Sequence, residues 1–161
     1  MREPKPIRGA RTPLFERLSD RNPNERRELR PDRALDRAAL KQSVREEIAR
    51  LLNTRCSSWQ GSGTVLEYGL PDFSWMSAAS ESDRQMLADT IARKVAQFEP
   101  RVSDVKVTLE RDATNPRAVV GSLDFNLVVE SVREPVSFPL LALKTTGEIK
   151  VGEAKSAAHG G

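Results

Sequence analysis

LADTIARKVAQFEPRVSDVKVTL, residues 87–109, changes its apolar period halfway along, and that change sets the architecture. Leu87, Ile91, Val95 and Phe98 recur at i, i+4, i+8 and i+11, the stripe of a helix that buries one face. Val105, Val107 and Leu109 then alternate with Lys106, Thr108 and Glu110, the period of a half-buried strand. Glu99-Pro100-Arg101 stands between the two patterns. The proline ring locks φ, removes a donor and pushes Glu99 out of helical geometry. Glu99 and Arg101 therefore leave a stiff corner in set directions. Such a corner either braces the fold internally or presents a charged pair to a partner.

Upstream, Ser80 with Asp83, or Ser82 with Gln85, can build a capping box, so the helix is expected over Ser80 to Phe98. Residues 64–73, broken by Gly69-Leu70-Pro71, read as a short strand or an irregular turn, and Pro71 argues against a central strand. An earlier helix opens at Pro31-Asp32, carries Leu35, Leu40, Val44, Ile48, Leu51 and Leu52, and ends near Asn53-Thr54-Arg55. Ser57, Ser58, Gly61, Ser62 and Gly63 then mark a loop.

Downstream, Asp112 to Pro116 supply turn chemistry, and Leu123, Phe125, Leu127 and Val129 predict a second strand. Val136, Phe138 and Leu140 predict a third, which Pro135 and Pro139 limit to an edge or an irregular course. Thr145-Thr146-Gly147 reads as a turn into a short last strand around Glu148 to Val151. The expected class is α+β, two main helices packed on one face of a small antiparallel β meander. Its domain spans residues 32–152. Residues 1–31 form a basic, proline-rich arm, and 153–161 a disordered tail. Within the arm, Leu14, Phe15 and Leu18 lie on one side of a single helical turn. This island (14–18) docks either on a neighbour or on its own domain.

Composition narrows the function classes. Cys56 is the single cysteine, so no internal disulfide forms, and no His/Cys cluster suggests a metal. His159, the only histidine, sits in the Gly/Ala-rich tail, which removes triad catalysis. No apolar run approaches a membrane span, and no secretory h-region follows the charged N-terminus. A cytoplasmic protein with a reduced thiol is expected, without cofactor or metal. Residues 1–37 hold 11 Lys/Arg against 7 Asp/Glu, whereas the remainder carries a net charge of −1. Basicity thus belongs to the arm, and nucleic-acid binding is not expected.

LFERL (14–18), LLNTR (51–55), YGLPD (68–72), FEPR (98–101) and a closing β meander, in this order and spacing, resemble one family. It is the TssE family of type VI secretion baseplate subunits, within the wider group of contractile-phage baseplate wedge proteins often labelled lysozyme-like. The likeness covers roughly residues 14–151, and the first dozen residues have no counterpart in it. The resemblance implies a structural, non-enzymatic wedge subunit in the cytoplasm, at the baseplate docked on the inner membrane. It implies assembly with TssF, TssG and TssK, initiation of the TssB/TssC contractile sheath, and the spike hub VgrG as a further neighbour. Glu99, Pro100 and Arg101 correspond to the family's Glu-Pro-Arg residues and become partner-binding candidates, beside Leu14, Phe15 and Leu18.

On that reading Glu99→Gln or Arg101→Ala weakens wedge assembly and leaves folding intact. On the bracing reading Arg101 caps backbone carbonyls while Glu99 pairs nearby. An edge strand such as 136–141 offers backbone groups that another chain can complete. The corresponding wedge protein of a contractile phage tail or tail-derived particle is the alternative. A cell-wall hydrolase is a distant one, with Glu99 as general acid and Asp104 or Asp72 as second carboxylate. Arg101 beside Glu99 favours the ionised form, the wrong direction for an acid. Trp59, Trp75 and Tyr68 are expected as core anchors, and 68–72 as a buried loop closing the core. Cys56 lacks a base partner and is not expected to be reactive.

Overall fold

A computed structural model describes residues 37–56, 67–129 and 132–154. Helix α1 spans Arg37–Asn53 and helix α2 Glu81–Phe98. Strands β1 (Val102–Arg111), β2 (Ala118–Val129), β3 (Val132–Leu143) and β4 (Glu148–Val151) follow. They form one antiparallel sheet in the order β1-β2-β3-β4. The expected α+β meander is the fold. The Pro31-Asp32 helix start, Leu35, Trp59, the arm with Leu14, Phe15 and Leu18, and residues 155–161 lie outside the described residues.

The helix stripes go where their spacing sends them. Leu40, Val44, Ile48, Leu51 and Leu52 of α1, and Leu87, Ile91 and Val95 of α2, join one core. The sheet contributes Leu123, Phe125 and Leu127 from β2, Val136, Phe138 and Leu140 from β3, and Ile149 and Val151 from β4. Because inward residues of all four strands, Val102 and Leu109 of β1 among them, share this one cluster with both helices, the helices cover a single face of the sheet. Phe125 and Phe138 pack edge to face across the β2–β3 pair, with centroids 5.3 Å apart.

Ser80 caps α2, its side chain accepting from the Asp83 N–H at 3.2 Å. The reciprocal half of the expected box falls elsewhere: the Asp83 carboxylate accepts from the Ser77 N–H at 2.7 Å. The third strand is longer and more regular than its prolines predicted. β3 pairs with β2 along its whole length, from Val129↔Val132 to Ala118↔Leu143. Pro135 and Pro139 are four residues apart, so their missing donors fall on the same side of the strand. The Pro139 carbonyl accepts from the Gly152 N–H at 2.8 Å, which identifies that side as the one away from β2. Neither proline therefore removes a β2–β3 ladder bond.

Candidate functional site

α2 ends where the sequence placed its end. The Glu99 N–H still bonds to the Val95 carbonyl at 2.9 Å, and Glu99 itself takes extended geometry (φ −112, ψ 93). This turns its side chain back under the corner, where it is 1 % exposed. Glu99 Oε1 accepts from the Arg101 N–H at 3.1 Å and from Arg101 Nε at 2.8 Å, and Oε2 accepts from Arg101 Nη2 at 2.7 Å. Arg101 Nη1 reaches across to Ser43 Oγ on α1 at 3.0 Å. The two charges thus fasten the helix-to-strand corner to α1, and Pro100 is the exposed tip between them. A forked pair with little solvent is coupled far more strongly than a surface pair.

Directly after the corner, β1 carries a bulge. Register passes from Ser103↔Asn126 to Lys106↔Asp124, so Asp104 and Val105 together oppose Phe125. Asp104 takes a positive φ of 54, rare for a residue with a Cβ. Asn126 Nδ2 and Ser103 Oγ each donate to its carboxylate at 3.0 Å, and Arg133 lies 3.4 Å away. These bonds, the Asn126 donor foremost, hold the Asp104 carboxyl below the usual carboxylate range.

The LLNTR and YGLPD strings prove to be two halves of one junction. Leu51 and Leu52 are buried, and the side chains of Asn53 and Arg55 turn to the sheet. Asn53 Nδ2 donates to the Ile149 carbonyl at 2.8 Å, while Asn53 Oδ1 accepts from the Ile149 N–H at 3.0 Å. The Arg55 guanidinium donates to the Gly147 carbonyl and lies over the Phe73 ring, 5.1 Å from its centroid. The Leu70 N–H bonds to the Thr54 carbonyl at 2.9 Å, and the Cys56 N–H to the Leu70 carbonyl at 3.0 Å. Gly69 allows this approach: its φ is +112, and a Cβ there would sit 2.4 Å from the Thr54 oxygen. Leu70, Pro71 and Phe73 are buried, so the loop closes the core as expected.

This junction governs the sheet edges. Asn53 and Arg45 of α1 (Arg45 Nη1 to the Val151 carbonyl, 3.2 Å) occupy the outward backbone groups of β4. Strand 136–141 is not a free edge throughout, because Leu140 and Leu141 pair with Val151 and Lys150. Its open stretch is 132–138, interrupted by Pro135. β1 has β2 as its one neighbouring strand among the described residues, and it contains no proline. The Asp112 N–H bond to the Ala118 carbonyl sets the ladder phase, so Val107 and Leu109 aim their backbone groups away from the sheet. β1 is the open edge.

Two residues escaped the sequence reading. Lys94 is 1 % exposed, sits 5.7 Å from the Phe98 ring centroid, and donates from Nζ to the Glu67 carbonyl at 2.6 Å. Ser43, a polar residue on the buried face of α1, is the anchor for Arg101. A polar residue interrupting an apolar stripe was the available signal in both cases. Tyr68 is half-buried, stacks edge-on to Phe98 at 5.4 Å and donates to Glu47 Oε1 at 2.9 Å. Trp75, expected as a core anchor, is instead 60 % exposed. It lies in the turn after Asp72, where its Nε1 donates to the Asp72 carbonyl at 3.0 Å and holds the ring against the surface.

The hydrolase constellation is not assembled. Both Glu99 oxygens are occupied by Arg101. Asp72 is exposed and accepts from the Ser74 N–H and hydroxyl at 2.9 and 3.0 Å, whereas Glu99 is buried under the corner. Asp104 is engaged by Asn126, Ser103 and Arg133. No helix among the described residues is long and apolar enough to cross a membrane.

A family model described as baseplate wedge protein gp25 matches residues 38–135. The match begins in α1, contains the Asn53 junction and the Glu99–Arg101 corner, and ends inside β3. Among solved structures, one chain of a structure described as the baseplate complex from the type VI secretion system is similar, at 18% identity and a TM-score of 0.48. That similarity covers 70% of this chain and 93% of the other. No curated protein matches the chain.

Proposed function

The chain belongs to the baseplate wedge protein gp25 family, and on that premise we propose that it is a TssE-like, non-enzymatic wedge subunit of a type VI secretion baseplate. The family match carries the wedge role. The ordered LFERL, LLNTR, YGLPD and FEPR strings favour the type VI branch over a contractile phage tail. In this reading the subunit assembles with TssF, TssG and TssK in the cytoplasm. It seeds the TssB/TssC sheath beside the VgrG hub and so contributes to effector delivery.

Three contacts serve that role. At the corner, Pro100 and the exposed flank of Arg101 face the wedge partners, and the buried Glu99 carboxylate keeps both in place. The open, proline-free edge of β1 is the site where a sheath strand adds, because its outward N–H and C=O groups point away from the sheet. The arm island Leu14, Phe15 and Leu18 docks in a neighbour's groove.

Co-expression with TssF and TssG followed by size-exclusion chromatography tests the assignment. Co-elution of all three is the expected result. Elution of this chain by itself, while it binds a phage-tail wedge partner, overturns the type VI reading in favour of the phage one.

A further inference from the structure

The end of the domain opposite the Glu99–Arg101 corner carries a second feature that the wedge role does not absorb. Three turns meet there: residues 72–77 before α2, the β1–β2 connection, and the β3–β4 connection. Between them lies an open depression of about 320 Å³ lined by Arg111, Arg117, Lys144, Ser74, Ser77 and Thr145, with no acidic side chain in its lining. Arg111 and Arg117 are exposed and Lys144 half-buried, and none of the three joins an ion pair among the described residues.

The absence of a carboxylate partner has a local cause. Three acids around the depression are each engaged by a turn of their own. Asp72 accepts from the Ser74 N–H and hydroxyl at 2.9 and 3.0 Å. Asp83 accepts from the Ser77 N–H at 2.7 Å. Asp112 accepts from the Thr114 N–H, the Thr114 hydroxyl and the Asn115 N–H at 2.8, 2.7 and 3.2 Å. These bonds hold the three carboxylates within their own turns and outside the lining of the depression, where the cations stand without them.

The frame is also tied together. The Lys144 N–H donates to the Arg117 carbonyl at 3.1 Å, joining the two sheet connections. The Ala118 N–H closes the first connection on the Asn115 carbonyl at 3.0 Å, and the Gly147 N–H closes the second on the Leu143 carbonyl at 2.8 Å. Gly147 holds a φ of +67 there. A site built on closed turns loses less conformational freedom on binding than one on a loose loop.

We propose that this groove docks an acidic segment of a partner protein, a short run of Asp or Glu side chains pairing with Arg111, Arg117 and Lys144. Hydroxyls of Ser77 and Thr145 supply hydrogen-bond donors for the same carboxylates. Three features select this occupant over nucleic acid. Stable duplex binding draws on roughly 6–10 phosphate contacts, more than three cations provide. Residues 38–161 carry a net charge of −1, so the domain beyond the groove adds no attraction for a long polyanion. The concavity is of side-chain size. Because α2 separates them by about 27 Å, this contact and one at the corner can be made together.

The test uses the full chain, isotope-labelled, with a fluorescent oligo-glutamate peptide at low ionic strength. Amide shifts centred on Ser77, Arg117 and Thr145 are expected, with affinity falling as salt screens the pairs. The R111Q/R117Q/K144Q variant should bind at least about tenfold more weakly with an unchanged Tm, since these side chains support no described contact. Should the triple variant misfold, R117Q is compared with R117K, which should recover most of the loss. Undiminished peptide binding by the variant, or shifts confined to the basic residues of the arm, overturns the proposal. So does duplex DNA that occupies the groove more tightly than the peptide.

Discussion

The amide of Asn53 pairs with both backbone groups of Ile149, 2.8 Å to its carbonyl and 3.0 Å from its N–H, as a neighbouring strand would. One side chain at the end of α1 thereby plugs the outer edge of β4 and fixes the helix layer to the sheet. Exposed edge groups are the usual point of attachment for another strand. With β4 plugged and β3 interrupted by Pro135, the open edge of the sheet is β1.

Asn53→Ala leaves the Ile149 N–H and carbonyl without their partner. A loss of about 1–3 kcal/mol in chemical denaturation is expected, larger than for a surface alanine substitution. Faster hydrogen exchange at Ile149 should accompany it. Unchanged exchange at that amide would show that the plug contributes nothing.

The Glu99–Arg101 pair separates bracing from contact. Glu99→Gln strands a half-buried guanidinium, so a destabilisation of about 3 kcal/mol is expected. The double-mutant cycle with Arg101→Ala should return a coupling of about 1–3 kcal/mol. A coupling near zero, with the wedge complex lost nevertheless, would mean that the charges act at the interface and not under the corner.

Tyr68 is the single tyrosine, so its ionisation can be followed alone by absorbance. Burial, and secondly its bond to Glu47, push its pKa above the ordinary value near 10. The folded state therefore holds the proton more tightly than the unfolded state does. Stability from this group is complete below pH ~10 and is lost as pH rises beyond it. The tyrosinate band should appear late in the native protein and near pH 10 in denaturant. Tyr68→Phe should flatten the alkaline decline, and an unaltered decline would assign it to other groups.

The β1 edge is tested with Val107→Pro. The lost N–H points away from β2, so the ladder keeps its bonds, and only a modest fall in Tm is expected from the changed side chain. Recruitment of sheath subunits to the assembled wedge should drop sharply in a pelleting assay. Normal sheath growth on this variant would move the sheath contact away from β1.

Side-chain period is a local property, and it was enough for the architecture. Both helix stripes, the switch of period at Glu99-Pro100-Arg101 and the alternation in β1 and β2 each follow from residues a few positions apart. The same local signals placed the Ser80 cap and the closing role of the 68–72 loop, with Leu70 and Pro71 buried. They marked the corner as important and left its role open. What only the tertiary structure decided are relations between residues far apart in the chain. Asn53 meets Ile149 96 residues away, Arg55 meets Gly147 at 92, and Arg101 meets Ser43 at 58. No pattern within one element encodes which distant polar group completes a hydrogen bond. Packing brings such groups together, and burial then makes their pairing obligatory. For the same reason sequence alone could not tell that Trp75 lies outside, that both prolines of β3 face away from β2, or that β1 is the open edge.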